Sequence, residues 1–506
     1  MLKFGDIDTY GMSPDFTRNR EWIMMNDEWE PYTPNEPAGS KKKRFVFGCL
    51  SLVLVVTLLA SAVGGAAWFW WGRQQQQAAT AVSRPTIEVI PTRSSEDEAE
   101  QVETAVATTP SADFPINRIT FVNTDGQVAS IAPDGSEQHT LTDTELRYQF
   151  PAWSPDGQHV AVIGGGSRGA GIYLLQDNAS VQEPQERYFS RTQTPLYLYW
   201  SPDGQYVSFL ANHVEDAIAL YLATTEGEVE NRVLATGSPF YWHWAANSEQ
   251  ILIHSGANSS DARVALLDAS GEVDKVAVAA PGFFQSPAIS PDGRYWAYAT
   301  QREAGLSWLT VTNAETGAVY EQRHAGALAL GWSPVGNQLA IISGPPDTEA
   351  FYGPLRLLDA DTGEGRLLSR ETVLAFFWSP NGRYLAYLSS PRLNEDIQAN
   401  ALSASQKVLA RTQSVQAGHL LRLHILDVTT GDDRHVASFQ PTILFLSQFL
   451  PYFDQYAHSH YLWSPDSSAL VLSMRKDGEN RVVIVPVNGE PLRDLAAGDM
   501  ASWSQQ

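Results

Sequence analysis

A single cysteine, Cys49, stands in 506 residues. No intrachain disulfide can form and no cysteine-based zinc site can be built, so a folded domain here is held by its core alone. Positive charge is scarce as well: 34 Lys and Arg face 57 Asp and Glu, for a formal net charge of −23. That argues against a general nucleic-acid binder, whose affinity rests on neutralising phosphates, and suits a large exposed domain kept soluble by its charge. Long apolar runs are missing, with one exception. Phe45 to Gly72, "FVFGCLSLVLVVTLLASAVGGAAWFWWG", carries no charge over 28 residues, where about 20 apolar residues suffice to span a bilayer as a helix.

"KKKR" (Lys41 to Arg44) precedes that run and "WFWW" (Trp68 to Trp71) closes it. A basic flank stays cytoplasmic and an aromatic cluster sits at the opposite interface, so the run predicts a single transmembrane helix over 45–72 with its amino terminus inside. A cleaved signal peptide is the alternative, because "ASAVGGAA" has small residues suited to a peptidase. Against it, 44 residues precede the apolar core and the run continues past the small residues. Cys49 opens the run rather than closing it, which excludes a lipoprotein anchor.

Residues 1–44 then read as a cytoplasmic tail, mostly disordered. Within it Ser13 to Glu30 offers an N-cap in Ser13, Pro14 at the first helical position and several apolar residues, so a short partner-binding helix is the sharper alternative. Residues 73–113 begin "RQQQQ", include "EDEAEQVE" and are otherwise mostly Ala, Thr, Ser and Pro: a disordered acidic linker.

From 114 to 506 the chain repeats itself. "WSPDG" stands at Trp153 and Trp200, with near-copies at Ile289, Trp332, Trp378 and Trp463, a worn one at Trp244 and a partial one at Trp503. First residues lie 47, 44, 45, 43, 46, 85 and 40 apart. A period in the forties predicts an all-β fold, a β-propeller of four-stranded blades. Residues 149–192 illustrate one blade: "QFPAW", "HVAVIGG", "GIYLLQD" and "ERYFSRT" are short aromatic and β-branched stretches separated by turn signals. Ser-Pro-Asp-Gly suits a tight turn, with Pro presetting φ and Gly taking positive φ, and the Trp before it suits the space between blades. Small residues recur after the turn (Ala161, Ser208, Ala297, Ala340, Ala386), which lets blades approach. The motif is therefore structural punctuation, since a catalytic reading needs six or more copies of one site. "DASGE", "NAETGA", "DADTGEG" and "DVTTGDD" recur once per blade and read as hairpin turns rather than metal ligands.

"RITFVNT" (from Arg118) lacks a preceding first strand and "MASWSQ" (Met500 to Gln505) lacks following ones. Joined, they complete one blade and close the ring. Counting first strands gives eight blades, with seven or six open if a worn copy is miscounted. These motifs resemble the TolB-like family of WD-related propellers. The resemblance covers residues 114–506, and it implies a bacterial propeller facing the cell envelope and binding other proteins. The anchor and the absence of an amino-terminal globular domain depart from TolB, so TolB's own partners do not carry over.

The 85-residue gap holds two insertions, Pro391 to His419 and Pro441 to Tyr461, leaving the face opposite the SPDG turns. The second carries Phe445, Phe449, Tyr452, Phe453 and Tyr456, candidate anchors for a protein partner; the alternative is that these rings pack under the first insertion. Catalytic signals are thin. "GGSRG" (Gly165 to Gly169) imitates a nucleophile elbow but falls in a β-hairpin, and "GGGSRGAG" lacks the Lys and helix of a phosphate loop. His458, His460 and Asp454 make an incomplete metal set, and His243 reads as core or channel lining. No catalytic residue, cofactor or metal is expected. The expectation is a membrane-anchored extracytoplasmic propeller acting as a non-catalytic protein-binding or scaffolding module in the cell envelope. The alternatives are an enzyme or small-ligand binder using the axial channel, and a sensor signalling through the tail.

Overall fold

A computed structural model describes residues 22–25, 28–31, 117–178, 180–213, 218–256, 262–271, 276–282, 285–301, 307–324, 328–343, 353–390 and 420–505. The chain divides into two compact units, Met1–Ala107 and Thr108–Gln506. In the first, Trp22–Met25 and Glu28–Pro31 pair antiparallel, Trp22 opposite Pro31 and Met25 opposite Glu28. These eight residues pair as strands and not as the short helix offered as the alternative. Trp22, Ile23 and Trp29 are aromatic or β-branched, types that favour a strand. The transmembrane run 45–72, the linker 73–113 and the first insertion, 391–419, lie outside the described residues. Among the described residues no helix is long and apolar enough to cross a membrane.

The second unit is all-β and forms a propeller. Blade 1 is Arg147–Trp153, His159–Gly166, Gly169–Gln176 and Gln185–Ser190, hydrogen-bonded in that order. Blades 2, 3 and 4 repeat the pattern from Pro195, Phe240 and Ala288. The remaining strands form one 13-stranded sheet, because Gly365–Trp378, Asp433–Pro441 and Arg493–Trp503 each end one blade and begin the next. Divided at those shared strands, it is four more blades, making eight. The last blade is closed by the two chain regions expected to meet: Trp503 pairs with Ile119 and Ser502 with Thr120.

Each SPDG turn is held the same way. Ser154 Oγ donates to Asp156 Oδ1 at 2.5 Å and accepts from His159 N at 2.9 Å, while Gly157 takes φ 70°. Ser201 with Asp203, Ser290 with Asp292, Ser379 with Asn381 and Ser464 with Asp466 repeat the side-chain bond. The serine hydroxyls are thus consumed by backbone geometry, which removes them as nucleophiles.

The tryptophans explain the repeat's first letter. Trp200 Nε1 donates to Ala152 O, Trp332 Nε1 to Ala288 O, Trp378 Nε1 to Gly331 O and Trp463 Nε1 to Phe377 O, at 2.9 to 3.2 Å. Trp153 reaches Ser502 O at 3.3 Å. In each case the acceptor immediately precedes the motif's first residue in the previous blade, so one indole bridges every such pair. Trp244 is the exception. Its Nε1 donates instead to Ser208 Oγ at 2.9 Å, the one hydroxyl among the recurring small residues. Trp503 turns its Nε1 to Asn117 Oδ1 within its own blade. Replacing Trp378 with alanine loses both an interblade bond and a large apolar surface, and should cost about 3 kcal/mol. Chemical denaturation of the isolated second unit would measure it.

Candidate functional site

Blade 7 lacks an intact inner strand. Pro441 pairs with Met474 and Trp463 bridges to Leu470, so both ends of the strand are present and residues 442–461 are inserted between them. They form three short helical turns, Phe445–Phe449, Leu450–Tyr452 and Phe453–Tyr456. The insertion runs into the ring rather than over it.

That placement corrects the reading of its aromatics as partner anchors. Phe445, Phe449, Phe453 and Tyr456 are buried; only Tyr452, at 48% exposure, remains on the surface. Tyr456 lies 4.7 Å from the Tyr197 ring of blade 2 and 5.3 Å from Phe150 of blade 1. Phe453 meets Phe376 of blade 6 at 5.4 Å, and Phe449 meets Phe377 at 5.9 Å. The physical reason is the width of an eight-bladed ring, whose inner strands cannot meet across the axis. An empty bore would forfeit packing that aromatic side chains supply.

Polar bonds fix the plug in register. Trp242 N donates to Gln455 Oε1, and Gln455 Nε2 donates back to Trp242 O, both at 3.0 Å. Tyr197 Oη donates to Gln455 O at 2.6 Å. Ser286 N of blade 4 donates to Asp454 Oδ2 at 3.3 Å, and Thr442 Oγ1 donates to Asp499 Oδ1 of blade 8 at 3.0 Å. At the exit, Tyr461 N donates to Ser502 Oγ and Trp503 N to Tyr461 O. A segment belonging to blade 7 is therefore bonded to blades 2, 3, 4 and 8.

Beside the plug, toward the insertion face, lie small voids of about 20 and 30 Å3. Toward the SPDG turns the axis opens into a funnel of about 430 Å3. Pro291, Pro334 and Pro380 of the turns stand at its rim; Asp454, Ala457, His458 and Tyr461 of the plug form its floor. His458 and His460 of the partial metal set are here, together with His243. His243 Nδ1 accepts from Ile289 N at 3.1 Å, and its ring lies 4.3 Å from that of His458. His460 Nδ1 is 2.7 Å from Ser459 Oγ. Burial lowers His243 to about 4, His460 to about 3 and His458 well below the usual imidazole range. Among the described residues no group of three His, Cys, Asp or Glu is placed to hold a metal. Gly165 to Gly169 lies where expected, in a tight hairpin with Gly166 opposite Gly169.

Asp454 is the exception among these neutral groups. Desolvation raises its carboxyl from 3.8 to about 6, against the opposing bonds from Ser286 N and Gln455 N. A raised carboxyl favours the protonated fold. The penalty is therefore absent below about pH 4, grows between about pH 4 and 6 and is complete at neutral pH. Asp454→Asn should gain about 2 kcal/mol at pH 7.5 and nothing at pH 4. Melting curves of both proteins at the two pH values would check it.

The site's chemistry was only partly visible in the letters. "HSH" and the aromatic supply were noticed, whereas Gln455, which holds the plug to blade 3, carries no sequence signal.

No family model matches the chain, and no curated protein matches it. Among solved structures it is similar to TolB from Acinetobacter baumannii, with 13% identity, 78% of this chain and 67% of that one covered, and a TM-score of 0.36. An oligogalacturonate lyase from Vibrio parahaemolyticus gives 13% identity, 76% and 85% coverage and a TM-score of 0.39. A eukaryotic initiation factor gives 10% identity, 77% and 99% coverage and 0.46. Likenesses this distant carry no argument about activity. By its own strands and turns the second unit is a β-propeller, with eight blades among the described residues, and its structural neighbours include TolB proteins.

Proposed function

We propose that this protein is a membrane-anchored, extracytoplasmic propeller, held by residues 45–72, that works as a non-catalytic protein-binding module. The observation that carries the reading is the plug. Residues 442–461 fill the bore with Phe445, Phe449, Phe453 and Tyr456, and Gln455 beside them is engaged with Trp242 and Tyr197 in seating the insertion. The insertion leaves Ile443 and Tyr452 exposed beside the polar Ser447 and Gln448, and the strand end Leu420 is exposed as well. Exposed large apolar groups at loop tips favour association with another protein.

The test is a photo-reactive residue placed at Ile443 or Tyr452 of the full chain in intact cells, followed by mass spectrometry. One recurring envelope protein cross-linked from both positions supports the module and identifies its partner. Self-links alone, with no protein recovered, would overturn it.

A further inference from the structure

The funnel on the opposite face is not explained by protein docking at the insertion. Its walls come from the ends of the inner strands, with Phe376, Phe377, Trp332 and Trp378 among them. The indole N–H groups of both tryptophans are already spent on interblade carbonyls, so these side chains offer only their apolar surfaces. Among the lining residues there is no lysine or arginine, and Asp454 is the sole carboxylate. Among the described residues, Ser286 N donates to its Oδ2 over a long 3.3 Å and Gln455 N to its Oδ1 at 3.1 Å, and it lines both this funnel and the small void on the other side of the plug. The backbone bond from Ile289 N to His243 Nδ1 fixes the proton of that neutral ring on Nε2. A volume of about 430 Å3 lies within the ~300–1,000 Å3 of ordinary small-molecule sites.

An aromatic wall above one incompletely satisfied carboxylate selects by sign. An anion would meet Asp454 with no cation to offset it. A neutral apolar molecule would leave the carboxylate further desolvated and without a counter-ion. A protonated amine on an apolar body satisfies both surfaces, pairing with Asp454 below and meeting ring faces at the side. We propose that the funnel is a binding site for a small organic ammonium ion, with Asp454 as its counter-ion and Trp332, Trp378 and Phe376 enclosing the apolar part.

Three isosteric probes separate the alternatives: tryptamine, its neutral alcohol tryptophol and its anionic relative indole-3-acetate, titrated calorimetrically into the full chain at pH 7.5. Tryptamine should bind about tenfold or more tighter than either of the others, a gap of ~1.4 kcal/mol. Because the formal net charge is −23, any cation gathers near the surface, so Asp454→Asn is the control for position. It should lose tryptamine binding about tenfold and leave tryptophol unchanged.

Should the variant fail to fold, the wild-type protein answers by pH. Asp454 is neutralised as pH falls through about 6, whereas burial keeps His243 and His458 uncharged until well below that. His460 likewise titrates far lower and Tyr461 far higher. Tryptamine affinity should therefore fall between pH 7.5 and 5. No binding of tryptamine at ~10 mM, tryptophol binding as well as tryptamine, or affinity unchanged by the variant and by pH would each overturn the site. These outcomes are independent of whether a protein cross-links from Ile443 or Tyr452.

Discussion

A chain stopped before Met500 should fail to fold cooperatively. The missing residues supply the inner strand of blade 8, where Trp503 pairs with Ile119 and Ser502 with Thr120. They also carry the acceptor for Trp153, at Ser502 O, and two bonds to Tyr461 at the plug's exit. Trp503 is almost fully buried, and losing a buried tryptophan alone costs about 3–5 kcal/mol. Added to it are the lost pairing of Ile119 and Thr120 and an unseated plug. A typical domain has only about 5–15 kcal/mol in total. Expression of the truncated chain should give aggregated or protease-sensitive protein without a sharp melting transition. Trp503→Ala, which keeps the backbone pairing, should fold with a lowered melting temperature. A truncated chain melting within about 5 °C of the intact one would show that the seam contributes little.

Arg118→Ala should be the most damaging single substitution on the blade 8 side of the same seam. Arg118 is 1% exposed and opens the strand of blade 8 that pairs with Trp503. Its Nε donates to Asp177 Oδ2 of blade 1 at 2.5 Å, and Nη2 donates to Ser130 Oγ at 2.8 Å and to Glu137 O at 2.6 Å. Asp177 is itself buried. Deleting the guanidinium strands that carboxylate in the interior, a change that costs about 3–5 kcal/mol, whereas replacing both partners with apolar side chains is often neutral. Urea denaturation of Arg118→Ala, Asp177→Leu and the double variant Arg118→Met with Asp177→Leu separates the cases. The double variant should recover most of the loss. Single and double variants equally unstable would mean that the pair itself, not the abandoned charge, holds blades 1 and 8 together.

The repeating parts of the molecule were readable in advance because each is a local device. Pro155, Asp156 and Gly157 make the same turn wherever they recur, and Trp200 bridges to blade 1 as Trp378 does to blade 5, so period and composition sufficed for the blades and the closing strand, with eight favoured and seven or six left open as their number. The parts that occur once were not readable. Arg118 and Asp177 are 59 residues apart, and nothing local marks them as partners. Phe445 and Phe453 are the same letters whether a loop lies outside or turns inward. The diameter of the bore decides between those outcomes, and it is a property of all eight blades together. The spacing of 85 residues located the insertion but not its direction.

The seam also has a consequence in time. Asn117 is bonded to Trp503, and Arg118 N to Ser504, across 386 positions of chain. During synthesis the strands of blades 1 to 6 emerge as an open arc, exposed along both flanks. The plug follows them, and its partners at Tyr197, Trp242 and Ser286 are already present to receive it. Residues 500–504 belong to the strand that comes after the plug in the chain. The plug's partners in blades 2 to 4 thus precede it in the chain and the closing strand follows it, so no part of it need thread a finished ring. Until that last stretch appears, the arc carries an unpaired edge that a neighbouring nascent copy could occupy, so the interval before closure is when this fold is most exposed to aggregation.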